Sequence, residues 1–224
     1  MSDPLRVVIA DDQDLVRSGL EMVVAARGIE VVGSATDGRE AVDLVARTKP
    51  DVCLMDIRMP VLDGIAATAE IRARGTDTAV LVLTTYDIDS YVYAALKAGA
   101  AGFLLKTTPP ERLVEGIRAV SAGESLLAPS LTRRLIEEHV GRPAPFDGVP
   151  TELDALTERE REVFGLVARG LSNEQIRGEL WLSEATVKTH INRILSKLAL
   201  ETRVQLVVLA YECGFVRPGE GADR

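Results

Sequence analysis

Cysteine is nearly absent: the chain has only Cys53 and Cys213, far apart in sequence and each among apolar neighbours. That spacing offers no metal motif and no disulfide framework, and it reads as two buried thiols in a reducing compartment. Aromatic residues are scarce at 4%, with a single Trp, so any core must be built from Val, Leu, Ile and Ala. No apolar run approaches the roughly 18 residues that a membrane helix needs. Met1-Ser2-Asp3-Pro4 lacks the basic region and apolar stretch of a signal peptide, so a cytoplasmic location without membrane contact is expected. Positive charge is short as well: 26 Lys and Arg against 34 Asp and Glu leave a net charge of −8. That balance argues against a generally adhesive nucleic-acid binder. Neither a G-x-x-x-x-G-K-[ST] loop nor a G-x-G-x-x-G turn occurs, so nucleotide binding is unsupported.

What is present falls into two halves. With 224 residues and a 46% hydrophobic fraction, two packed domains are the natural expectation. Up to about residue 122, short apolar runs alternate with amphipathic stretches. Strands are predicted near 5–10, 30–36, 51–55, 79–84 and 102–105. Helices are predicted near 13–27, 37–47, 63–73, 88–98 and 109–122. Five such pairs point to a parallel sheet covered on both faces. Thr108-Pro109-Pro110-Glu111 reads as a cap, a first-turn Pro and a capping-box Glu for the last of these helices. A short helix is possible at 129–139, and Gly141 to Pro150 reads as a linker. Beyond it the pattern is wholly helical. Thr157-Glu158-Arg159-Glu160 and Ser172-Asn173-Glu174-Gln175 are capping boxes, Gly170 is a helix stop, and Ser183 caps a third helix to about Leu198. A fourth helix covers about 202–213. Two helices joined by a short turn, the second polar and basic on one side, form the helix-turn-helix pattern. The domain boundaries expected are 1–125, a linker at 126–152, a helical domain at 153–217 and a tail at 218–224.

Functional groups of an open parallel sheet gather at the carboxyl ends of its strands. Here the first strand ends in Asp11-Asp12, the third in Asp56, the fourth in Thr84 and the fifth in Lys106. Clustered carboxylates repel one another unless a cation sits among them, and a hard ion such as Mg²⁺ takes oxygen ligands of this kind. A phosphoryl group on Asp56 would find Thr84 able to donate a hydroxyl and Lys106 able to neutralise an oxygen. The chemistry is nucleophilic, a carboxylate attacking phosphorus to give an acyl phosphate. A stand-alone hydrolase would need a general base and a substrate cleft, and the sequence offers neither.

In the third C-terminal helix, Val187, Ile191, Ile194 and Leu198 are expected to face the core. Lys188, Thr189, Asn192 and Arg193 project elsewhere, where Lys and Asn can read base edges and Arg and Lys can grip phosphates. Residues 151–217 hold 9 basic and 10 acidic residues, so periodicity alone leaves a DNA-reading domain and a protein-interaction module both open.

Residues 5–122 resemble the receiver domains of two-component response regulators. The likeness is carried by Asp11-Asp12, Met55-Asp56-Ile57-Arg58-Met59-Pro60, Asp63-Gly64, Thr84 and Gly102-Phe103-Leu104-Leu105-Lys106. Residues 153–216 resemble the LuxR-type four-helix DNA-binding domain through Leu156 to Glu160, Gly170 to Asn173 and Leu182 to His190. The order of the two is that of the NarL/FixJ subfamily. The resemblance implies a flavodoxin-like (βα)5 fold followed by an all-α helix-turn-helix domain. It implies Asp56 as phosphoacceptor for a sensor histidine kinase. Mg²⁺ would be held by Asp12, Asp56 and the backbone carbonyl of Arg58, with Asp11 assisting, and Thr84 and Phe103 would form the switch pair. It further implies Lys188, Thr189 and Asn192 toward bases of double-stranded promoter DNA and Thr186, Arg193 and Lys197 toward phosphates. Val204, Val208 and Tyr211 would be a dimer contact in a homodimer formed on phosphorylation. Such a protein is a regulator, an enzyme only in assisting its own phosphorylation and dephosphorylation. Three departures stand out. Arg177 takes the place of a small residue expected at a tight helix crossing, Gly178 weakens its helix by up to about 1 kcal/mol relative to Ala, and Ala199 sits where a helix-ending Gly or Asn is common.

Overall fold

Five apolar runs of the N-terminal half form parallel strands: β1 (Arg6–Ala10), β2 (Glu30–Ala35), β3 (Val52–Asp56), β4 (Ala79–Thr84) and β5 (Gly102–Leu105). The computed structural model describes residues 4–85, 89–123 and 153–216. The strands are hydrogen-bonded in the order β2-β1-β3-β4-β5, and β3, at the centre, is buried along its whole length. Both faces of a parallel sheet are covered, which is why these runs are continuously apolar. Five helices provide the cover: α1 (Asp14–Ala25), α2 (Gly38–Thr48), α3 (Gly64–Ala73), α4 (Asp89–Lys97) and α5 (Pro110–Ser121).

Side chains alternate across a strand, so each strand feeds two cores. Val7, Ile9, Val52, Leu54, Leu81 and Leu83 cluster with Val24 of α1 and with Leu113, Val114, Ile117 and Val120 of α5. The alternate residues Val8, Cys53, Met55, Val80 and Val82 are fully buried on the opposite face, where α2 lies beside α3 and α3 beside α4. Burial pushes the Cys53 thiol up to about 12. Cys213 is half-buried, and neither cysteine forms a disulfide. Leu15, at helical spacing in the sequence, is instead 87% exposed.

By internal packing the chain divides into two units, Met1–Leu126 and Leu127–Arg224. The possible helix at 129–139 and the linker at 141–150 lie outside the described residues. In the second unit the helices are α6 (Glu158–Ala168), α7 (Asn173–Leu180), α8 (Glu184–Lys197) and α9 (Arg203–Glu212). The predicted capping boxes form: Thr157 with Glu160 and Ser172 with Gln175. A third, Thr202 with Gln205, opens α9. Gly170, with φ 83°, stops α6. No helix among the described residues is long and apolar enough to cross a membrane.

Three expectations are corrected. The N-cap of α5 is Pro109, with no side-chain cap; Thr108 is one residue too early, its N–H donating to the Leu105 carbonyl. Arg177 is not at a tight crossing: its side chain is 53% exposed, 3.9 Å from Glu174. Leu198 is only half-buried. Val204, Val208 and Tyr211, the expected dimer contact, are 1%, 4% and 2% exposed within the single chain. Ala199 does take the left-handed conformation expected of a Gly or Asn, with φ 53°.

Candidate functional site

The strand order reverses between β1 and β3, and the crevice at such a switch point is where open parallel sheets gather their functional groups. β1 delivers Asp11 and Asp12 there, and β3 delivers Asp56 beside them. The register pairs Ala10 with Met55 and Asp56 with Leu83, so Thr84 ends the next strand at the same edge. Lys106 comes in from β5, its N–H donating to the Thr84 carbonyl at 2.7 Å.

The side chains converge. The Lys106 ammonium lies 2.7 Å from Asp11 Oδ2 and 3.1 Å from Asp56 Oδ2, and its side chain is only 7% exposed. Oxygens of Asp11, Asp12 and Asp56 lie within 4.8 Å of one another. Asp11 and Asp56 are buried and Asp12 is exposed, which gives the cluster one face to solvent. Asp11 Oδ1 accepts the Gln13 N–H at 3.0 Å. Asp11 Oδ2 is buried, and the Lys106 ammonium at 2.7 Å is the positive charge that balances it. Burial raises the Asp56 carboxyl above the ordinary carboxylate range. The charge and hydrogen bond of Lys106 pull the other way, Asp11 adds to the rise, and the Ile57 backbone N–H opposes it.

This donor set fits a small hard divalent cation: three carboxylates at one point, two of them buried, against a single ammonium. Arg58 follows Asp56 by two residues. Its guanidinium lies 5.6 Å from the Tyr91 ring centre on α4 and 3.5 Å from the Tyr91 hydroxyl. Phe103 pairs in register with Val82 and is 6% exposed; Thr84 is 5% exposed.

Small residues and turns shape the approach. A Cβ on Gly64 would stand 1.9 Å from the Asp56 carbonyl oxygen, so only Gly lets α3 start this close to β3. Asp63 caps that helix by accepting the Ala66 N–H at 2.8 Å. Sequence reasoning missed Arg17, which donates to the Asp11 carbonyl at 2.8 Å and pairs with Asp14; the Asp14–Arg17 spacing was the available signal.

In the second unit, Val187, Ile191 and Ile194 of α8 are buried, while Lys188, Thr189, Asn192 and Arg193 are exposed on the opposite side. Ser183 caps α8 by accepting the Thr186 N–H at 3.1 Å. Lys188 lies 3.2 Å from Glu184. Lys197 sits apart from this group: its ammonium is 2.6 Å from Oε2 of Glu160, whose side chain is 5% exposed. Hydrogen bonding to Lys197 is the main reason the Glu160 carboxyl is lowered to about 2. Two further ties were not read from the sequence. Arg159 donates to the Leu180 carbonyl at 2.8 Å, and Arg203 donates to Asn173 Oδ1 at 2.5 Å and to the Leu171 carbonyl.

Residues 7–118 match the family described as response regulator receiver domain, and residues 154–210 match bacterial regulatory proteins of the luxR family. The chain is 41% identical to the transcriptional regulatory protein YxjL of Bacillus subtilis, over 96% of this chain and 99% of that one. It is 38% identical to a nitrate/nitrite response regulator protein homolog of Haemophilus influenzae, over 95% and 99%. Among solved structures, the response regulator ChrA of a heme-sensing two-component system matches with a TM-score of 0.52 and 34% identity, over 95% of this chain and 99% of that one. A LuxR-family two-component response regulator from Aurantimonas sp. matches with a TM-score of 0.56 and 33% identity, over 62% and 100%.

Proposed function

Because the chain belongs to the response regulators that join a receiver domain to a LuxR-type DNA-binding domain, a family of transcriptional regulators, we propose that it is a cytoplasmic switch phosphorylated on Asp56. The donor is a phosphohistidine of a sensor kinase. A lone pair of the Asp56 carboxylate forms the new O–P bond, the N–P bond breaks, and its electron pair returns to the imidazole nitrogen, which takes up a proton. Asp11, Asp12, Asp56 and the Arg58 backbone carbonyl would hold Mg²⁺, which when bound supplies positive charge against the phosphoryl oxygens.

The protein's own groups do the rest. Lys106, already beside Asp56, neutralises a phosphoryl oxygen, and Thr84 donates its hydroxyl to another. Loss of the Asp56 carboxylate as partner to Lys106, together with the new charge, shifts Thr84 and Phe103 to a second arrangement. The phosphorylated chain then forms a homodimer and sets two recognition helices on promoter DNA. Lys188, Thr189 and Asn192 face bases, and Thr186 and Arg193 face phosphates. Lys197, held by Glu160, anchors the helix and adds its charge at the groove edge.

The observation that carries this reading is the placement of the Lys106 ammonium within 2.7 Å of Asp11 and 3.1 Å of Asp56, amid three converging carboxylates. Incubation with acetyl phosphate and Mg²⁺, followed by intact-mass measurement, is the test. The wild-type chain is expected to gain one phosphoryl group and Asp56→Asn none. Equal gain by both proteins would remove Asp56 from the role.

A further inference from the structure

We propose that Trp181 is a DNA-contacting residue, its indole packing against the sugar–phosphate wall of the groove that α8 enters; the inference rests on the DNA-binding reading above. Trp181 occupies the C-cap of α7 with φ 56° and ψ 42°, in the left-handed region. That conformation is strained for a residue with a side chain, and Gly or Asn is the usual occupant. A bulky residue there is normally compensated by packing. Trp181 has none of that: it is 93% exposed. It is also the one large hydrophobic side chain so exposed among the described residues of the second unit; Leu15, Met22 and Val61 belong to the first.

The large apolar surface of Trp181 packs on almost nothing of its own fold and is therefore open to a partner outside it. Its position says what. Trp181 lies two residues before Ser183, the N-cap of α8, and in a helix-turn-helix the first residues of that helix are the ones that reach base edges. The residue at the preceding turn therefore stands at the groove wall. An indole suits that wall: its flat apolar face covers deoxyribose, and its N–H, a donor only, reaches a phosphate oxygen. Arg159 fixes the turn by donating to the carbonyl of Leu180, the residue before it. Being neutral, Trp181 releases no counterions, so its contribution is independent of sequence and of salt.

The chain has one Trp, so its intrinsic emission reports on this site alone. The full-length chain, phosphorylated with acetyl phosphate, is titrated with two labelled duplexes: its own upstream region and an unrelated duplex of equal length. Duplex anisotropy and tryptophan emission are followed together. Trp181→Asn keeps a residue suited to the left-handed turn, so its melting temperature should equal or exceed wild type. The expected result is a change in emission on binding, and several-fold weaker binding of both duplexes by Trp181→Asn, by the same factor and with an unaltered salt slope. Normal duplex binding by the variant, with wild-type emission unmoved, overturns the inference, leaves the DNA reading standing and directs Trp181 toward a protein partner. Weakening confined to one duplex overturns the backbone contact in favour of base reading. Failure of the wild-type chain to bind any duplex overturns both readings.

Discussion

Val61 sits at the centre of a three-residue turn in the loop that follows Asp56. The Leu62 N–H donates to the Pro60 carbonyl at 2.6 Å and Val61 takes φ 65°, a strained form of turn made worse by a β-branched side chain. The side chain is 82% exposed, so packing does not offset the strain. Val61→Gly is expected to stabilise the first unit by about 1 kcal/mol, seen as a raised melting temperature in calorimetry; an unchanged or lowered one would count against the strain. The same loop shows what could be read residue by residue. Asp11, Asp12, Asp56, Thr84 and Lys106 were each legible because a strand end fixes where the next side chain goes, and a parallel sheet aligns those ends. Val61 was not, since nothing in a Val announces a positive φ; the tight turn closed by the Leu62 N–H on the Pro60 carbonyl goes with one.

At the scale of elements, the ion pair of buried Glu160 with the more exposed Lys197 joins the start of α6 to the end of α8. Because the Glu160 carboxyl is lowered to about 2 from an ordinary 4.5, its contribution is fully present above pH 4.5 and is lost as pH falls toward 2. Thermal unfolding of the full chain between pH 5 and 3 should show the second unit losing stability in acid. Glu160→Gln should begin less stable at neutral pH and decline less steeply; parallel declines would show that the pair does not set the acid limit. Helix starts in this unit were legible wherever Ser or Thr preceded Glu or Gln by three residues. The α9 start carries the same signal in Thr202 and Gln205. What no local pattern could give was partnership across 37 residues of sequence, which ties Lys197 at the end of α8 to Glu160 at the start of α6. Nor could it give the burial of Val204, Val208 and Tyr211, since α9 is apolar on nearly every side and spacing alone cannot say which side stays open.

At the scale of the molecule, the change of hydrophobic period after the glycine- and proline-rich stretch marks two folds of different class, and each holds one cysteine. The two thiols differ sharply. Cys213 is half-buried at the end of α9. Cys53 lies in the innermost strand with its thiol at about 12, so almost none of it is thiolate near neutral pH. A maleimide or iodoacetamide should therefore modify Cys213 readily in the native chain and Cys53 only when the sheet opens, with tryptic mass mapping to distinguish them. Equal rates would mean the centre of the sheet is accessible. Cys53 is three residues before Asp56 on the same strand, so its slow alkylation is a built-in timer for how often that strand comes undone, and slower labelling once Asp56 carries a phosphoryl group would measure how far the modification tightens the domain that bears it.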